Sequence, residues 1–192
     1  WLTFIGHMND SLWSVDLFRC ESILLKSYWV LVVMDQFTRR IIGFGVHIGD
    51  VDGAAWCRMF NSAISTMGTP KCLSSDHDPL FTYHQWAANL RILDIDEVKS
   101  IPYTPSLHPF IERLIGTVRR EFLDQTLFWT IDDLERKLAD FRDYYNHHRT
   151  HDSLGGDIPV EVAGGTPKLP IALNNFGWQT HCRGLYQLPI AA

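Results

Sequence analysis

Three acidic residues, Asp16, Asp76 and Glu112, stand where carboxylates could gather around a hard cation. Asp16 lies within Ser14-Val15-Asp16-Leu17-Phe18, a stretch of strand-forming residues in which Asp is normally depleted. Asp76 directly follows Lys71 to Ser75, a short predicted strand, and so falls at the carboxyl end where α/β sheets tend to build their sites. Glu112 falls in the first turn of a predicted helix, where a carboxylate already suits the helix dipole. Singly, each has an ordinary explanation: an edge or capping carboxylate, a turn cap, a dipole partner. As a set they suit Mg²⁺ or Mn²⁺, which prefer carboxylate oxygen, and two-metal phosphoryl chemistry, which needs several acids converging from different elements.

The elements that must carry these acids are legible in the pattern. Trp13 to Phe18, Tyr28 to Met34 and Arg39 to Ile48 are rich in β-branched and aromatic residues and predict three strands in a meander, with Asp35 to Thr38 as a polar break. Between Val51 and Met67, apolar residues recur at helical spacing until Gly68-Thr69-Pro70 ends the segment. Tyr83 to Leu93 predicts a second helix and Glu97 to Ile101 a fifth strand. Pro102, Pro105 and Pro109 mark an irregular loop, because proline nitrogens cannot donate to a ladder or a helix interior. The helix that follows carries Ile111, Leu114, Ile115, Val118 and Phe122 on one side, with Arg113, Arg119 and Arg120 toward another. Thr130 with Asp133 resembles a capping box and opens a last helix to about His148. Such an order predicts an α/β sheet with helices on its faces. From about Gly164 onward the Pro, Gly and Asn content predicts an extended arm.

Composition sets the outer bounds. The 192 residues, 46% hydrophobic and 20% charged, suffice for one globular domain plus a tail. The longest apolar run, Tyr28 to Met34, is far short of the roughly 20 residues of a membrane span, so no membrane partner is expected. The start lacks both Met and a basic-then-apolar leader and reads as a fragment. Cys20, Cys57, Cys72 and Cys182 are scattered, which fits a reducing cytoplasm better than a disulfide framework. A formal charge of −5 weighs against nucleic acid as partner unless the basic residues cluster.

Four ordered motifs resemble one family. Asp16 on a first strand, Ser75-Asp76 after a fourth, and Glu112 after the fifth match the D, D, 35, E arrangement of retroviral integrases and bacterial insertion-sequence transposases, with 35 residues between the last two acids. His108 to Glu121 looks like the acid-bearing helix of that family, Tyr144-Tyr145-Asn146-His147-His148-Arg149-Thr150-His151 with Leu154 like its closing motif, and Val33 to Gly43 like the turn between strands two and three. The resemblance implies a ribonuclease H-like fold, a five-stranded mixed sheet flanked by helices on both faces, with residues 1–165 as an integrase-like catalytic core and 166–192 as an extended C-terminal tail. It implies a metal-dependent polynucleotidyl transferase that cleaves and joins DNA with two Mg²⁺ or Mn²⁺ ions, Asp16 bridging both and Asp76 and Glu112 each holding one. Arg113, Arg119 and Arg120 would meet phosphates. The expected partners are the ends of a mobile element, its target DNA and further copies of the chain, in a bacterial cytoplasm at the nucleoid.

Two further readings stay open: a catalytically silent DNA-binding or assembly module of a truncated transposase, and a ribonuclease H-type nuclease acting on RNA–DNA hybrids. Asp35 is set aside as a turn residue, and Asp78 because its gap to Glu112 is 33 residues and matches the family less well; His77-Asp78-Pro79 also departs from the Gly that many relatives carry. His147 and His151, four apart, invite zinc but lack further ligands at suitable spacing. Trp56, Phe60, Trp86 and Phe122 are assigned to the core, and Trp178 to no role.

Overall fold

The computed structural model of the protein describes residues 12–76, 79–99, 109–164 and 176–191. Three strands come first: β1 (Leu12–Glu21), β2 (Ser27–Asp35) and β3 (Ile41–Ile48). Helix α1 (Gly53–Ile64) follows, started by Asp52, whose carboxylate accepts the Ala55 N–H at 2.6 Å. Then come β4 (Cys72–Ser75), α2 (His84–Ile92), β5 (Asp96–Lys99), α3 (Pro109–Thr117), α4 (Ile131–His147), a single helical turn (Pro159–Val162), β6 (Phe176–His181) and β7 (Tyr186–Ala191).

The first five strands form one mixed sheet in the order β3-β2-β1-β4-β5, with β1 antiparallel to β2 and parallel to β4. Helices cover both faces. On one, Phe18, Val30, Val32, Met34 and Ile41 meet Ile111 and Leu114 of α3 and Leu134, Leu138 and Phe141 of α4. On the other, Val15, Leu31, Val33 and Ile42 meet α1 and α2 through an edge-to-face cluster of Trp56, Phe60, Phe81 and Trp86. The position of β2 between β3 and β1, with helices on both faces, explains its unbroken apolar run, since residues 30 to 34 are at most 1% exposed. Gly43 and Gly45 let α1 lie directly on β3: a Cβ at Gly45 would sit 2.2 Å from the Met59 carbonyl oxygen.

Two stretches depart from expectation. The helix after Pro109 changes at Val118 into a π-helical turn, Val118–Phe122, in which the Leu123 N–H reaches back to the Val118 carbonyl. The expected extended arm is, over residues 176–191, an antiparallel hairpin of β6 and β7. It docks on α4 because Tyr186 stacks on Tyr144 with ring centroids 4.1 Å apart, Cys182 enters the core, and Arg183 pairs with Asp140 at 3.2 Å. The proline loop at Pro102 and Pro105 and the end of the fifth predicted strand, from residue 100, lie outside the described residues.

Candidate active site

Strand register governs the first two acids. In the parallel β1–β4 pair, Ser14 faces Ser74, and Asp16 and Asp76 are each two residues further on. The paired register ends at Ser14 and Ser74, and Asp76 directly follows the end of β4. Side chains alternate along β1, so Val15 enters the α1–α2 core while Asp16 shares a face with Phe18, the face under α3. Both carboxylates are partly buried. The end of β4 is held from β5, where Glu97 accepts hydrogen bonds from the Ser75 hydroxyl (2.7 Å) and the Trp86 indole N–H (2.9 Å). Glu97 thus fixes the residue immediately before Asp76, a role that the acid search along the sequence did not assign.

Helix α3 brings the third acid over the same face. Its start is pinned where the Arg39 guanidinium lies 3.2 Å from the Phe110 ring centroid, and its continuation where Arg119 donates to the Arg19 carbonyl of β1 at 3.1 Å. Glu112 is exposed, while its neighbours Ile111 and Leu114 are buried. Among the described residues no three His, Cys, Asp or Glu side chains are gathered tightly enough to hold a metal ion. Asp78 lies outside the described residues. Asp35 is a turn residue, accepting from the Phe37 N–H at 2.9 Å and the Thr38 hydroxyl at 2.8 Å.

The expected phosphate-binding arginines do not form one patch. Arg119 lies over the Phe18 ring of β1, Arg120 folds back over Gly116, and Arg113 borders a cavity beside α3. Two of the quoted motifs meet in that cavity: Arg39 from the β2–β3 turn, and Arg149 and His151 from the segment after α4. Their juxtaposition is carried by Asn146, whose side chain bonds both the N–H and the C=O of Ile41, each at 2.9 Å. Arg149 forks onto Glu121 at 2.7 and 2.8 Å. Burial, aided by the nearby Arg149 charge, holds the His151 imidazole down to about 4. His147 and His151 do not share a helix face, because α4 ends at His147 and the chain turns away. His147 sits against Asp143 on the helix, whereas the His151 ring packs on Tyr145.

Comparison with known proteins accords with this geometry. Sequence profiles described as integrase core domain match residues 6–105 and 93–159. An uncharacterized 39.2 kDa protein of insertion element IS476 from Xanthomonas euvesicatoria is 28% identical over 156 residues, which is 81% of this chain and 45% of that protein. An uncharacterized 31.7 kDa protein of insertion element IS407 from Burkholderia multivorans is 29% identical over 166 residues, 84% of this chain and 58% of that one. The chain thus spans about half the length of these relatives. Its fold is similar to that of the HTLV-2 integrase catalytic core domain in its dimeric, magnesium-bound form, with a TM-score of 0.60 at 16% identity, over 82% of this chain and 98% of that one.

Proposed function

The chain belongs to the integrase core domain family, and from that premise we propose that it is the catalytic domain of a transposase, cutting a DNA strand and joining its 3′ end to a target phosphodiester. The observation that supports this reading is the parallel β1–β4 pairing, in which Ser14 faces Ser74 with Asp16 and Asp76 each two residues further on, together with α3, which carries Glu112 and packs on the same sheet. These three are the proposed catalytic and metal-binding residues. An all-carboxylate donor set, free of thiol and imidazole, fits Mg²⁺ or Mn²⁺ and disfavours softer ions. Two such ions, when bound, activate a water or a DNA 3′-hydroxyl and stabilise the leaving oxygen. Glu97 holds the strand end that presents Asp76, and Arg113, Arg119 and Arg120 offer donors to DNA phosphates. The partners proposed are DNA and further copies of the chain, in keeping with the dimeric form of the HTLV-2 domain. No helix among the described residues is long and apolar enough to cross a membrane.

A supercoiled plasmid incubated with the chain and Mn²⁺ tests the reading without knowledge of the element ends. Nicking that is lost in Asp76→Asn and Glu112→Gln, both folded by circular dichroism, is the expected result. Nicking indifferent to both substitutions, or cleavage restricted to RNA–DNA hybrids, overturns it. One observation favours a second reading as a silent DNA-binding or assembly module: the described acids do not converge. DNA binding without metal-dependent cleavage, in a chain extended to the length of its relatives, selects that reading.

A further inference from the structure

The cavity beside α3 holds about 150 Å³, the share of some five water molecules in the liquid. Its polar lining is strongly biased toward donors. Arg39, Arg113 and Arg149 border it with His151 and Ser153, over the Phe110 ring. Glu121 satisfies Arg149, and among the described residues no acidic side chain lines the cavity itself. Two atoms of the lining residues, Arg39 Nε and His151 Nε2, are buried and make no hydrogen bond within the described structure.

Both orphans are donors. Arginine nitrogens never accept. Arg149 Nη1 lies 3.2 Å from His151 Nδ1, so Nδ1 is the accepting nitrogen and the hydrogen of the neutral ring sits on Nε2. A buried donor left unpaired carries its full desolvation cost, so two of them beside three guanidinium groups demand an acceptor, and an anionic one. The backbone is bent to serve the same geometry. Arg39 has φ +63°, a left-handed conformation that costs a non-glycine residue of order 1 kcal/mol or more and that persists where surroundings over-determine it. Its guanidinium is held twice, by the Gln36 carbonyl and by the Phe110 face.

We infer that this cavity is an oxyanion site that takes a phosphate group, bound by Arg39, Arg113 and His151. The volume of about 150 Å³ is enough for a single phosphate. Phosphate is available from two sources, a backbone phosphodiester of DNA lying along α3 or free inorganic phosphate; the first rests on the function proposed above, the second does not.

The test uses the whole chain labelled with ¹⁵N-histidine and follows the His151 ring by NMR during titration with inorganic phosphate, then with a short DNA duplex in phosphate-free buffer. Saturable shifts of the His151 ring with phosphate, weakened about tenfold or more in Arg113→Gln, are expected, since a charge-assisted hydrogen bond contributes on that scale. Arg113 is exposed, so its replacement keeps the test open if Arg39→Gln fails to fold. Equivalent shifts with DNA identify a backbone phosphate as occupant. Shifts with phosphate but not with DNA keep the oxyanion site and assign it to free phosphate, whatever the plasmid assay returns. A His151 ring indifferent to both ligands, with the fold intact, overturns the inference.

Discussion

Asn146→Ala removes a clamp whose two halves are 105 residues apart in sequence. The Asn146 amide, 5% exposed, accepts from the Ile41 N–H and donates to the Ile41 C=O, and Ile41 is fully buried. Alanine leaves both backbone groups without partners, at about 1 to 3 kcal/mol each. Partial relaxation lowers the sum, so the expected loss is about 3 kcal/mol of folding free energy. For a chain of this length that corresponds to a fall in Tm of roughly 6 to 12 °C. Asn146→Asp should not rescue it, because a carboxylate keeps the acceptor, loses the donor and buries a charge against a carbonyl oxygen. Urea denaturation followed by tryptophan fluorescence, with the wild-type m-value retained, measures the loss. A change below about 1 kcal/mol for Asn146→Ala would refute the claim that this amide fastens α4 to β3.

Other substitutions probe neighbouring joints. Gly45→Ala drives a methyl into the Met59 carbonyl and should cost about 3 kcal/mol or more, with α1 displaced; near-neutral stability would show that the helix does not rest on β3. A double-mutant cycle on Glu121→Gln and Arg149→Met should give a coupling of about 1 kcal/mol, modest because both side chains are partly exposed, and zero coupling would count the pair as ornamental. The His151 imidazole takes a proton near 6.5 in the unfolded chain but only at about 4 when folded, so folding stability must fall as pH drops through that window. His151→Gln should flatten the decline between those limits; a ring that titrates in the folded protein near 6.5 contradicts the assignment.

Most of the sheet could be read in advance because its signals are local. β2 announces itself by an unbroken apolar run, and α4 by Thr130, whose hydroxyl accepts the Asp133 N–H at 3.2 Å as the capping pattern predicts. Asp133 departs from a full box by reaching the N–H of Trp129 rather than of Thr130, while pairing with Lys137. The hairpin of β6 and β7 was not legible, because most of β6 is exposed and Tyr186 gains its partner, Tyr144, only when the chain folds back on α4. The same holds for Glu97, an ordinary acid in sequence that becomes a double acceptor only beside Ser75 and Trp86. The grouping of Arg39 with Arg149 and His151 depended on the Asn146 contact, although both motifs were visible separately. The acids themselves stood out by type and spacing: Asp16 lies on β1, Asp76 directly after β4 and Glu112 on α3, while the parallel pairing of β1 with β4 is what a linear pattern does not specify.

The measurement that bears most directly on the central claim is Mn²⁺ binding by isothermal titration, on the wild-type chain and on Asp16→Asn, each without and with a DNA duplex. The account predicts carboxylate-dependent binding in the wild type, strengthened by DNA, and its loss in a variant that circular dichroism shows to be folded. Identical titrations of the two proteins under both conditions would contradict the assignment of Asp16, and with it the proposed metal site.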